Sequence, residues 1–203
     1  MTEDDARGWI GERFGTDAVE RLEQFAALVR EENTHQNLIS PASAGSIWSR
    51  HLLDSAQLVP LAPEEGRWLD IGTGGGFPGL VAGILRRQPT LLVEPRKRRA
   101  AFLERCAAML ELGERVTVIA SKVEQISSGA AIVSARAVAS VENLLHAALP
   151  CATTATRWLL PRGRFGDADL ARLREGWRGV FHVEQSLTDP DSVILVAYGV
   201  SRR

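Results

Sequence analysis

The stretch Asp70-Ile71-Gly72-Thr73-Gly74-Gly75-Gly76-Phe77-Pro78-Gly79 carries the densest chemistry in the chain. It follows the β-type run Arg67-Trp68-Leu69 and precedes the apolar run Leu80-Val81-Ala82-Gly83-Ile84-Leu85. Glycine turns tightly and lets a backbone approach a ligand. A helix N-terminus adds free N–H groups and partial positive charge. Pro78 suits a first helical turn, where its missing N–H is not needed. Strand, glycine loop and helix start together form a cradle for an adenosine-type cofactor.

Two cofactors fit the glycines. Gly74-x-Gly76-x-x-Gly79 matches the dinucleotide fingerprint, and Glu94, twenty residues beyond Gly74, could hold a ribose. That is the NAD-dependent oxidoreductase reading. Asp70 favours S-adenosylmethionine (SAM). Its carboxylate, at the carboxyl end of a strand, is expected to face the crevice, where it attracts an ammonium and a sulfonium and repels a pyrophosphate. Glu94 can then accept hydrogen bonds from both ribose hydroxyls. A SAM-binding, RNA-associated protein without activity is a further class.

Those residues need elements to position them. The 203 residues, 45% hydrophobic and 24% charged, suit one globular domain with a short addition. Residues 1–65 read as a helical N-terminal cap. Asp17-x-x-Glu20 resembles a capping pair for a helix ending near Asn33, and a further helix is expected over about 43–59. From Trp68 strands and helices alternate, predicting strands at 68–71, 90–94, 116–120, 130–134 and 158–160. The intervening helices are expected at 78–87, 96–112, 141–149 and 169–177. Alternation implies a doubly wound, mostly parallel α/β sheet. Two last strands, 180–185 and 193–198, are separated too briefly for a crossover and should pair antiparallel. Seven strands with that finish are the usual Rossmann-like plan of class I SAM-dependent methyltransferases, over residues 66–203.

Net charge is −1, although residues 1–32 hold nine acidic and four basic side chains. Cys106 and Cys151 are far apart and four histidines form no cluster, so no metal is expected. No apolar run spans a membrane and the acidic start is no leader, so a cytoplasmic location is expected.

Four stretches stand in order along the chain: Asn37-Leu38-Ile39 with Arg50-His51-Leu52-Leu53-Asp54-Ser55, then Asp70–Gly79 with its Phe77-Pro78-Gly79. Glu94-Pro95-Arg96-Lys97-Arg98-Arg99-Ala100-Ala101-Phe102-Leu103 and Ser134-Ala135-Arg136-Ala137-Val138-Ala139-Ser140 follow. In this combination the chain resembles the RsmG (GidB) family of bacterial small-subunit rRNA methyltransferases. The resemblance implies methylation of N7 of a guanine, of the position-527 type, in the 530 loop of 16S rRNA, as naked RNA or in a small-subunit intermediate. It implies that Gly72 and Phe77 contact SAM, that Val123 and Glu124 lie against the adenine, and that Arg136 stands beside cofactor and substrate. Where the family often has Leu-Lys-Gly, this chain has Pro161-Arg162-Gly163, so Arg162 keeps a charge at an RNA-contact position without the lysine geometry.

Guanine N7 has a lone pair and no proton, so the reaction needs positioning rather than a general base. The sequence agrees by lacking Asn-Pro-Pro-Tyr after the fourth strand, and Cys151 lies too far on to be a nucleophile, so no catalytic residue is assigned beyond Arg136 as a candidate. Gly74 and Gly76 complete the expected cofactor loop. Arg96, Lys97, Arg98 and Arg99 open a helix, where cations are disfavoured, and therefore suggest phosphate contacts. Arg50, Arg136, Arg162 and Arg164 extend the expected RNA face, and His51 within Arg50-His51-x-x-Asp54-Ser55 has two readings, a packed or capping histidine or an RNA contact from the cap, with the structural one favoured for the quartet. His51 shares a helical face with Ser55, and Arg50 with Asp54.

Overall fold

The computed structural model describes all 203 residues. Helix α1 (Glu3–Phe14) begins in a capping box between Thr2 and Asp5. Helix α2 (Thr16–Glu32) buries Leu22, Phe25, Ala26 and Val29 on one stripe. The expected Asp17 cap is not made. The helix starts at Thr16 behind Gly15, which places Asp17 inside the first turn. The single helix expected over 43–59 is broken into a short α3 (Pro41–Ala44), a π-helical turn (Trp48–Leu52), α4 (Leu53–Ala56) and a 3-10 turn (Val59–Leu61). Glu3 holds the start of the π turn, accepting from the Trp48 and Ser49 N–H groups at 3.0 and 2.8 Å.

Seven strands form one sheet in the order β3-β2-β1-β4-β5-β7-β6. They are β1 (Trp68–Ile71), β2 (Thr90–Val93), β3 (Val116–Ile119), β4 (Ala130–Ala135), β5 (Ala152–Arg162), β6 (Trp177–Gln185) and β7 (Val193–Arg202). The first five run parallel, and β7 inserts antiparallel between β5 and β6. Strand β5 is longer than expected because its first half, Ala152–Thr156, is too polar to show an apolar pattern, although Thr favours a pleated surface. Helices α5 (Gly79–Leu85), α6 (Lys97–Met109), α7 (Val141–Ala148) and α8 (Asp167–Gly176) complete the plan.

The pleat sends alternate residues to opposite faces. On β2, Leu92 joins the core shared with α1, α2, α5 and α6, while Leu91 and Val93 join the core beneath α7 and α8. Strand β1 does the same: Leu69 and Ile71 face α7 and α8, which turns Asp70 towards α5. The N-terminal helices share a continuous core with the sheet, since Phe25 and Trp48 cluster with Phe77, Leu80 and Phe102. Strand order reverses between β1 and β4, and at such a switch point the carboxyl ends of the strands leave a crevice.

Candidate active site

The glycine loop follows β1 at that switch point. Gly72, Gly74 and Gly76 take φ of +63°, +61° and +101°, the left-handed region that glycine tolerates. Phe77 and Pro78 are joined by a cis peptide bond, and α5 begins one residue later than expected, at Gly79.

Asp70 does not line the crevice. It is fully buried, and the cofactor-facing carboxylate expected from the sequence is corrected accordingly. Its Oδ2 accepts from the Gly79 N–H at 3.0 Å, and its Oδ1 accepts from the Ser134 hydroxyl at 2.5 Å. The Trp68 indole N–H donates in turn to Ser134 Oγ at 2.7 Å. Burial pushes the Asp70 carboxyl up to about 6, against the opposing effect of these hydrogen bonds. The network ties β1, β4 and the N-terminus of α5 together behind the loop. Ser134 is a partner that sequence reasoning did not single out; its place opposite Asp70 in the β1–β4 register is what identifies it.

In front of the loop lies a largely apolar crevice of about 270 Å³, bounded by Gly72, Val93, Pro95, Val123, Glu124 and Leu144. Val123 is buried in its wall and Glu124 is exposed at its rim. A Cβ on Gly72 would stand 2.7 Å from Val138, a crevice-lining side chain, so the bare backbone is part of the cavity's shape. Glu94, at the end of β2, is 3% exposed. Its oxygens accept from the N–H groups of Gly74 and Arg96, both at 2.9 Å, which fixes the loop to the start of α6.

Arg136 follows β4 across the switch point. Its Nη1 donates to Asp54 Oδ2 at 2.9 Å, its Nη2 donates to His51 Nδ1 at 3.0 Å, and its guanidinium lies 5.3 Å from the Phe77 ring centre. His51 stacks on Phe77 at 5.0 Å, and its Nε2 donates to Ser43 Oγ at 2.9 Å. Burial, with Arg136 and Arg50 nearby, holds the His51 pKa down at about 3. The imidazole is therefore neutral at physiological pH, with its proton on Nε2 and its Nδ1 lone pair on Arg136. The faces expected to be shared in the Arg50–Ser55 segment do not become pairs. Asp54 pairs with Arg136, Arg50 pairs with Asp189 at 3.4 Å, and Ser55 bonds the His51 carbonyl instead of its ring. Asp54 is a site residue the sequence reading undervalued.

The expected RNA residues divide. Arg50, Arg96, Lys97 and Arg98 are exposed around the mouth. Arg98 and Arg99 also reach back to the carbonyls of His35 and Asn37, at 3.4 and 2.9 Å, so part of that basic run secures the N-terminal helices. Arg162 donates to the Ala139 carbonyl at 2.9 Å, while its Nε and Nη2 are buried without partners. It shares with Asp54 and Arg136 the wall of a second cavity of about 240 Å³. Four tryptophans are buried and Trp9 packs against Phe14 and Arg13, so the aromatic ring of this site is Phe77. Both cysteines are buried, Cys151 with its thiol on the Ile126 carbonyl. No group of His, Cys, Asp and Glu with metal-binding geometry occurs, and no helix is long and apolar enough to cross a membrane.

Comparison with known proteins agrees with this geometry. The profile of GidB, rRNA small subunit methyltransferase G, matches residues 18–188. The ribosomal RNA small subunit methyltransferase G of Sphingopyxis alaskensis is 44% identical over 199 residues, covering 96% of this chain and 85% of the relative. Its counterpart in Rhizorhabdus wittichii is 42% identical over 207 residues, covering 100% and 95%. Among solved structures, M. jannaschii TYW2 in complex with AdoMet shares the fold, superposing with a TM-score of 0.62 at 11% identity over 84% of this chain and 80% of that one. The chain belongs to the GidB family, the rRNA small subunit methyltransferases G.

Proposed function

We propose that this chain transfers the methyl group of SAM to N7 of a guanine in the 530 loop of 16S rRNA, with residues 1–65 as a helical cap over a methyltransferase domain of residues 66–203. The observation that carries the reading is a pair of cavities at the switch point: an apolar, nucleoside-sized crevice beside Gly72, and next to it a polar one walled by Arg136, Asp54 and Arg162. The residues present fit SAM: Gly72, Gly74, Gly76 and Phe77 form the loop, Val123 and Glu124 flank the base, and Glu94 keeps a lone pair on each oxygen for ribose hydroxyls. Asp70 contributes by holding the loop against α5 rather than by touching the cofactor.

SAM supplies an electrophilic methyl group. Guanine N7 donates its lone pair to that carbon, the S–C bond breaks, and its electron pair stays on sulfur. The methylated base gains one positive charge and no proton is lost, so the chain needs no base. Its task is orientation. Arg136, braced by Asp54 and His51, presents its remaining N–H groups to the acceptor. The unit of Arg136, Asp54 and neutral His51 carries no net charge and does not oppose the cation that forms. Arg50, Arg96, Lys97 and Arg98 meet phosphates around the mouth, and Arg162 contributes its charge from the wall of the neighbouring cavity.

Labelled SAM, small-subunit rRNA lacking the mark, and mapping of the modified nucleotide test the reading. Label at N7 of that guanine is expected on naked rRNA or on assembling subunits. Absence from both overturns it.

A further inference from the structure

A cavity of about 560 Å³ lies outside the crevice. It lies between α2, the end of α5 and the residue preceding β3, at the amino ends of the strands. The glycine loop and Glu94 stand at their carboxyl ends. Four arginines line it: Arg21, Arg86, Arg87 and Arg115. Asp17 is the one carboxylate in its wall.

None of these four arginines forms an ion pair. Their neighbours in the same helical layer do: Arg7 and Arg30 pair with Glu23, and Arg105 pairs with Glu32. Two of the four are held in place by neutral groups. Arg86 is 92% buried in the sense that 8% of its surface remains exposed, and its Nη atoms donate to the carbonyls of Pro63 and Glu64 at 2.9 and 3.1 Å. Its Nε is buried without a partner. Arg115 Nη1 donates to the Arg86 carbonyl at 2.8 Å. These contacts fix the guanidinium groups without neutralising them. Arg21 and Arg87 make no side-chain hydrogen bond, so they are free to close on a ligand. Phe14, Ile84 and Leu85 supply an apolar wall. A concave, pre-fixed cationic surface beside an apolar wall suits a phosphate that carries a sugar or base, and guanidinium is the group best matched to phosphate.

We propose that this cavity binds a backbone phosphate of the RNA substrate, as a second RNA contact at the end of the sheet opposite the cofactor crevice. The inference rests on the proposed rRNA activity, because that activity supplies the polyanion. Strands β1 and β2 have four residues each, about 13 Å of rise, so a folded RNA that fills the mouth can reach both ends.

The test is the double variant R21E/R87E, whose side chains hold nothing else in the fold. Binding of a small-subunit rRNA fragment is measured across a KCl series, beside SAM affinity and thermal melting. Each lost phosphate contact should lower the slope of log K against log salt by about 0.7–0.9. The expected result is a slope lower by about 1 to 2 and RNA affinity down roughly tenfold at low salt, with SAM affinity and melting unchanged. R178E, at an exposed arginine on β6, is the control and should leave the slope where it was. An unchanged slope in R21E/R87E overturns the proposal, as does an equal loss in R178E. Guanosine monophosphate is titrated in parallel. If it binds the parent and not R21E/R87E while the RNA slope stays, the cavity serves a free nucleotide and the RNA assignment falls. Parent protein that neither binds nor methylates the RNA would instead overturn the function on which the inference rests.

Discussion

At the scale of single residues, two buried titratable groups flank the loop and pull stability in opposite directions with pH. Asp70 is raised from its ordinary range to about 6, so the folded state binds its proton more tightly than the unfolded chain, and this contribution is lost as pH rises from about 4 to 6. His51 is lowered to about 3, so the unfolded chain takes up its proton first, and stability is lost as pH falls below about 6.5. Between pH 4 and 6 the two slopes oppose, each at most about 1.4 kcal/mol per pH unit. Urea unfolding should therefore rise more steeply with pH in D70N than in the parent, and should rise less or fall in H51Q. Parallel curves for all three proteins would exclude both shifts. His51 also separates positioning from proton transfer. H51A removes an acceptor from Arg136 and should lower kcat about tenfold with little change in SAM affinity. Gln can accept from Arg136 and donate to Ser43, so H51Q should recover most of kcat. Any break near pH 6 from Asp70 should be shared by the parent and H51Q, and the parent should show none that H51Q lacks. A general base would give H51Q as inactive as H51A and a break in the parent's profile.

At the scale of elements, the junction of β1, the loop and α5 is the tightest place in the site. A Cβ on Gly79 would sit 2.5 Å from Asp70 Cβ and from Leu92 Cδ2, and 2.6 Å from Asp70 Oδ2. All of these atoms are buried, so the helix start would have to move. G79A should cost about 1–3 kcal/mol in urea unfolding and weaken SAM binding with it, because the loop moves too. Unchanged stability would mean that α5 can retreat without loss. The π turn is the other decisive element. It carries His51 and leads into α4, which carries Asp54, and the two reach the same guanidinium; π turns are frequent at functional sites.

At the scale of the whole molecule, the cap and the sheet domain share one core. Phe77, Leu80, Val81, Phe102 and Leu103 cluster with side chains from α1, α2 and the π turn. A fragment of residues 66–203 would expose that face, and is expected to aggregate or to melt without a cooperative transition. A soluble fragment with a sharp transition and normal SAM affinity would show the cap to be an independent addition. Charge is also organised at this scale. A chain with a net charge of −1 has arginine-rich surfaces at both ends of its sheet.

Much was legible in the sequence because it depends on local pattern. Strands β1 to β4 and the helices between them follow from apolar runs bounded by Gly, Pro and polar residues, and the terminal antiparallel pair follows from the seven residues between its strands. The glycine loop, Arg136 and the basic mouth were visible as residue types at motif spacing. What stayed hidden depends on the direction a side chain faces. Asp70 precedes the loop in sequence, but the pleat of β1 turns it under α5, where Gly79 and Ser134 take both its oxygens. The partners of Arg136 come from residues 51 and 54, more than eighty positions away, and are brought there by a turn that no local signal marks. The sequence by itself determined the order of the strands, the place of the glycine loop and the family. Only the tertiary structure decided which carboxylates meet which donors, because burial and hydrogen-bond direction are properties of packed neighbours and not of the chain's local pattern.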